Sequence, residues 1–150
     1  MLAQCGGDGG VPGAGDVFPD ELGDGLSYVP MPDADRVSFE STFTRATGAA
    51  DVAVRTVAVE GSTSVGLRVA SMVMSVTIDE AERERLFADL GRRIPLVDPR
   101  REDLDGIEAW VHANDEALAS SIAVVDGRRL VVVYGGVLAA ERLVVKALDM

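Results

Sequence analysis

One histidine, His112, one cysteine, Cys5, and 25 carboxylates are the side chains of this 150-residue sequence with general chemistry to offer. His112 lies between Val111 and Ala113, close to Trp110, in a stretch that reads as a strand. Strand alternation puts Trp110 and His112 on the same face. A catalytic imidazole needs a nucleophile and an orienting acid, yet the chain has no G-x-S-x-G elbow and Cys5 stands near the N-terminus. His112 therefore reads as a structural or surface histidine. Zinc requires three or four N, S or O ligands, and one His with one remote Cys does not make a common set. Arg101-Glu102-Asp103-Leu104-Asp105-Gly106 places acids at alternate positions before a glycine, as calcium loops do. The first ligand position is Arg101, however, and the twelfth is His112 where a bidentate Glu belongs.

Paired carboxylates such as Asp98 with Asp103, or Glu108 with Asp115, have the chemistry for acid/base work, but the sequence marks no burial that would raise their pKa. Neither G-x-x-x-x-G-K-[ST] nor G-x-G-x-x-G occurs, and the Gly6 to Gly15 stretch is not set between a strand and a helix. Three arginine pairs, Arg92-Arg93, Arg100-Arg101 and Arg128-Arg129, can converge as a small anion-binding patch or serve as solvated turns. The sequence thus predicts no catalytic residue, no metal and no cofactor, and a protein that is not an enzyme.

The elements that would position these groups read mostly as strands. Asp51 to Gly61 alternates Val52 and Val54, then Val57 and Val59 after a phase change at Arg55-Thr56, which predicts a strand with a bulge. Ser62 to Ser64 supply a turn, and Gly66 to Ile78 forms a second strand paired with the first. Asp79 to Arg93 is helical, with Ile78, Ala81, Leu86, Phe87 and Leu90 at helical steps. Its run Glu80 to Arg85 reads as a solvated face paired as Glu80 with Arg83 and Arg85 with Asp89. Ile94 to Gly106, broken by Pro95 and Pro99, reads as a loop. Strands follow at Ile107 to Ala113, Ala119 to Val125 and Arg129 to Tyr134, the last two joined by Asp126-Gly127, and Val137 to Leu148 is a helix. Val37 to Phe43 alternates as an edge strand would. The expected fold is α+β: an antiparallel sheet of about five strands with two helices on one face, in the order ββαβββα.

Charge divides the chain unevenly. With 14 basic and 25 acidic residues the net charge is −11, which argues against general nucleic-acid binding. Residues 1–35 hold seven of the acids, eight of the 16 glycines, four of the six prolines and no Lys or Arg. This composition predicts a flexible tether over residues 1–35 ahead of a single domain at residues 36–150. Such a tether would reach about 30 to 35 Å. No apolar run approaches the roughly 18 residues of a membrane helix.

Leu2-Ala3-Gln4-Cys5-Gly6-Gly7, ahead of the Gly/Asp-rich stretch, resembles the lipobox of bacterial lipoproteins. It departs from that pattern at Gln4, where Gly, Ala or Ser is usual, and only four residues precede Cys5. The resemblance implies that Cys5 is lipidated and that the membrane is met only through this anchor, on the extracytoplasmic face. The other reading makes Cys5 a free thiol. A single lysine, Lys146, among 14 basic residues, with abundant Ala, Gly, Val, Arg and Asp, fits GC-rich coding. In layout the chain resembles small actinobacterial lipoproteins over residues 50–148, with a distant similarity to the Mog1/PsbP-like α+β fold; no catalytic residue carries over. The function expected is a non-enzymatic, envelope-tethered protein that binds a protein or a small apolar ligand. The alternative is a cytosolic regulatory protein with a disordered acidic arm that folds on a basic partner.

Overall fold

The computed structural model describes residues 13–23, 25–61, 66–114 and 119–150. Cys5, Asp115 and the turn expected at Ser62 to Ser64 lie outside the described residues. A 3₁₀ turn, Ala14–Val17, leads into β1 (Leu26–Val29), α1 (Asp33–Thr47), β2 (Asp51–Val59), β3 (Leu67–Val73), α2 (Glu80–Leu90), β4 (Arg100–Leu104), β5 (Ile107–Asn114), β6 (Ala119–Asp126), β7 (Arg129–Tyr134) and α3 (Leu138–Ala147). The fold is α+β, built on one seven-stranded antiparallel sheet in the order β1-β2-β3-β7-β6-β5-β4. After β3 the chain crosses to the far edge through α2, then returns by the meander β4-β5-β6-β7 to pair with β3.

The hairpins follow from the sequence. The β2–β3 pairing, the β5 to β7 strands and the helices at Glu80–Leu90 and Leu138–Ala147 are where the residue pattern puts them, except that the strand expected over Gly66 to Ile78 ends at Val73, where Met74 and Ile78 leave the sheet to bond the Arg128 and Gly127 carbonyls. Asp79 caps α2, its carboxylate accepting the Glu82 N–H at 2.8 Å. Asp79→Ala is expected to lower stability by about 1 kcal/mol in urea denaturation, the usual cost of losing an N-cap.

Both faces of the sheet are covered, which overturns the expected placement of two helices on one face. Leu86, Phe87 and Leu90 of α2 pack with Phe43 of α1 against Val54, Met72, Ala123, Leu130 and Val132. Val144 and Val145 of α3, with Val17 and Leu22, pack on the opposite face against Val57, Val69, Val111, Val124 and Val131. Strands buried on both sides read as continuous apolar runs, and Leu130-Val131-Val132-Val133 and Ile122-Ala123-Val124-Val125 are such runs. The same fact removes the bulge expected at Arg55-Thr56. Pairing from Asp51↔Val73 to Val57↔Leu67 is unbroken, so Val54 faces the α1/α2 layer and Val57 the α3 layer without any slip.

Three further expectations are corrected. Val37 to Phe43 is not an edge strand but the middle of α1. Phe39 and Phe43 are four residues apart and fit either period; Arg36 to Glu40 pairing at 3.0 Å and the left-handed Gly48 (φ 74°) at the C-terminus settle it as a helix. The loop expected over Ile94 to Gly106 contains β4, whose charged residues place it at the sheet edge beside β5. Most consequentially, the tether assigned to residues 1–35 is packed structure from residue 13 on. Ala14 and Val17 are fully buried, Leu22 and Leu26 nearly so, and β1 extends the sheet along β2. Phe18 meets Tyr28 edge-on with the Arg55 guanidinium 5.0 Å from its ring, and Val17 O accepts the Asp149 N–H at 2.8 Å. A few apolar residues among glycines, prolines and acids suffice because the sheet presents them a ready-made apolar surface.

Candidate functional site

Trp110, the chain's one tryptophan, occupies the centre of β5 on the α2 side of the sheet and is 9% exposed. Phe87 of α2 meets its indole edge-on, with ring centroids 5.9 Å apart. The segment between α2 and β4 folds over the same face. His112 Nδ1 donates to the Val97 carbonyl at 2.6 Å, and the Ser121 hydroxyl donates to the Pro95 carbonyl. A carbonyl only accepts, so this bond requires the proton on Nδ1. Trp110 and His112 do share a face, and His112 is a clasp for this loop.

Between α2 and the clasped loop runs a cleft of about 570 Å³ lined by Arg83, Phe87, Ala88, Leu96, Val97 and Trp110, with Glu84, Arg92, Asp98 and Pro99 also on its walls. That volume is within the range of about 300–1,000 Å³ of small-ligand sites. The charged residues are disposed unequally. Arg85 pairs with Glu82 and, at 3.0 Å, with Asp89, while Arg92 stands 4.0 Å from Asp89. Arg83 makes no ion pair among the described residues; its guanidinium lies 4.9 Å from the Trp110 ring centroid. Arg101, directly across from Trp110 on β4, lies 5.6 Å from the same ring and pairs with Glu108 at 3.1 Å. The pairing of Arg83 with Glu80 expected from helical spacing is thus replaced by stacking on an aromatic ring 27 residues along the chain (110 − 83). One signal for it was available: Arg83, Phe87 and Leu90 are spaced i, i+4, i+7, on the face that α2 buries.

Among the described residues, the others singled out in the sequence do not converge. Glu102 is held by Arg142 of α3 through two hydrogen bonds of 2.8 Å, which lower its pKa, and Asp105 pairs with Lys146 at 3.3 Å. Asp103 accepts the Gly106 N–H at 2.6 Å and closes the β4–β5 turn. The calcium-like run is therefore a hairpin whose acids point to separate partners. Asp98 lines the cleft, apart from Asp103 in its turn. Of the arginine pairs, Arg92 and Arg101 reach the Trp110 region, whereas Arg128 donates to the Met74 carbonyl at 2.9 Å and Arg129 is buried in β7. Among the described residues no three His, Cys, Asp or Glu side chains gather as metal ligands, and no helix is long and apolar enough to cross a membrane.

One titratable group escaped sequence reasoning altogether. Glu141 of α3 is fully buried; its Oε2 accepts the Gly136 N–H at 3.2 Å and its Oε1 has no partner among the described residues. Burial pushes its pKa up to about 7, only partly offset by the Gly136 N–H; the Ser120 hydroxyl donates to the Gly136 carbonyl at 3.0 Å. In the sequence it reads as one more acid near a helix N-terminus. Compared with known protein families, curated proteins and solved structures, the chain matches none of them.

Proposed function

We propose that this chain is a non-catalytic binding protein, anchored at the cell envelope through lipidated Cys5, that holds a small apolar ligand in the Trp110 cleft. The cleft carries the reading. Phe87, Ala88, Leu96 and Val97 offer apolar walls, Trp110 a rigid aromatic floor, and His112 holds the covering loop in place. The lipobox-like setting of Cys5 supports the anchor. Folded structure has begun by Gly13, so the chain between Cys5 and the body spans at most about 28 Å (8 steps of ~3.5 Å). The same packing takes residues 13–23 and 25–35 out of the flexible segment of both readings, the envelope tether and the cytosolic acidic arm alike.

Because Trp110 is the sole tryptophan, its emission reports on the cleft. Titration with the neutral apolar probe N-phenyl-1-naphthylamine is expected to quench it by energy transfer and to saturate at one site. Ala88→Phe, at an exposed position on the cleft wall, is expected to weaken the probe by at least about tenfold with an unchanged circular dichroism spectrum. Equal binding to parent and variant defeats the assignment. For the anchor, a clickable palmitate analogue is expected to label the protein in a bacterial host expressing it with its upstream coding region, and to leave Cys5→Ser unlabelled; an unlabelled parent overturns it.

A further inference from the structure

Resting on the cleft as a ligand site, the charges around Trp110 narrow what the ligand can be. We infer that it is an apolar monoanion: a hydrocarbon body ending in one carboxylate, seated with its charge at Arg83. A cation is disfavoured because the indole quadrupole that would attract it already faces two guanidiniums, Arg83 at 4.9 Å and Arg101 at 5.6 Å. A neutral ligand leaves Arg83 unanswered. This guanidinium is confined at the cleft wall and has no carboxylate partner among the described residues, although the overall charge of −11 makes acids plentiful. Guanidinium and carboxylate match as planar hydrogen-bonding partners, and a wall that is apolar on one side lowers the local dielectric in which they meet.

A multiply charged anion is disfavoured for a different reason. Glu84 and Asp98 line the cleft as well, so against Arg83 and Arg92 the four charges cancel. Arg92 is largely exposed and already has Asp89 beside it. One negative charge can be met at Arg83; a second would face the two carboxylates. Ala88, Leu96, Val97 and Pro99 then cover the hydrocarbon.

The test titrates the full chain with octanoate, 1-octanol, octyltrimethylammonium and octyl phosphate, reading Trp110 emission and the heat of binding. Octanoate is expected to bind at one site, at least about tenfold more tightly than each of the other three. Arg83→Gln is expected to weaken octanoate by about tenfold and to leave 1-octanol unchanged, with Arg83→Lys intermediate. Octanoate and 1-octanol of equal affinity for the parent protein would overturn the anion selectivity while leaving the cleft as an apolar site. Tighter binding of the ammonium or the phosphate overturns it too, as does failure of all four where the naphthylamine binds. Failure of all five ligands removes the cleft reading itself.

Discussion

Glu141→Gln is expected to abolish a loss of stability that the parent protein suffers as pH rises from 4.5 to 7, the interval between the ordinary glutamate pKa and the raised pKa of this buried carboxyl. Below that interval both folded and unfolded chains carry the proton and the group contributes no pH dependence. Within it the unfolded chain releases the proton while the folded chain retains it. The folded state then binds more protons than the unfolded one, so stability falls with increasing pH. Above 7 both forms are ionised and the cost is constant. Between these two pKa values the stability lost amounts to about 3 kcal/mol. The folded carboxylate is costly because it is buried and, among the described residues, one of its oxygens has no partner and the other has only the Gly136 N–H at 3.2 Å. Glutamine removes the ionisation and keeps an oxygen for Gly136. Urea midpoints of parent and variant across this pH range check the claim; taking their difference removes groups that titrate alike in both. Parallel profiles would show that Glu141 titrates normally.

Val17→Asp is the second large effect. Val17 is 0% exposed and packs on the α3 face of the sheet, so an aspartate there is both smaller and charged, without a partner built for it. A loss of about 3 kcal/mol or more is expected, or failure to fold. Val37→Asp, only 20 residues further on (37 − 17) but 52% exposed on α1, is expected to change stability by less than about 0.5 kcal/mol. The contrast separates an integral layer from a leash: in a tether Val17→Asp would be as silent as Val37→Asp. Equal, small effects in thermal and urea unfolding would remove residues 13–29 from the core.

That same stretch shows where residue-by-residue reading fails. Its glycines, prolines and seven acids are those of a disordered segment, and averaged hydropathy cannot weigh Ala14, Val17, Leu22 and Leu26 against a surface that other residues create. β4 was concealed for a related reason. Arg100-Arg101-Glu102-Asp103 has no apolar alternation, and it is a strand because β5 offers it hydrogen bonds at an edge. In the candidate site, Trp110 and His112 were placed together by strand alternation alone, whereas Arg83 reaches Trp110 only because α2 crosses above β5.

The sequence by itself determined the local elements: the β6–β7 hairpin (its turn Gly127-Arg128, one place beyond the expected Asp126-Gly127), the capped helix after Asp79, the two-residue period of β5 and the terminal helix α3. These depend on φ/ψ preferences and on contacts a few residues apart, which are written in neighbouring letters. Tertiary structure alone decided which face each helix covers, that β7 pairs with β3 across an intervening crossover, and that Glu141 is buried with no second partner for its charge among the described residues. Those outcomes depend on surfaces that exist only after distant segments have met, so burial, and with it the pKa of Glu141 and the stacking of Arg83 on Trp110, is a property of the assembled body.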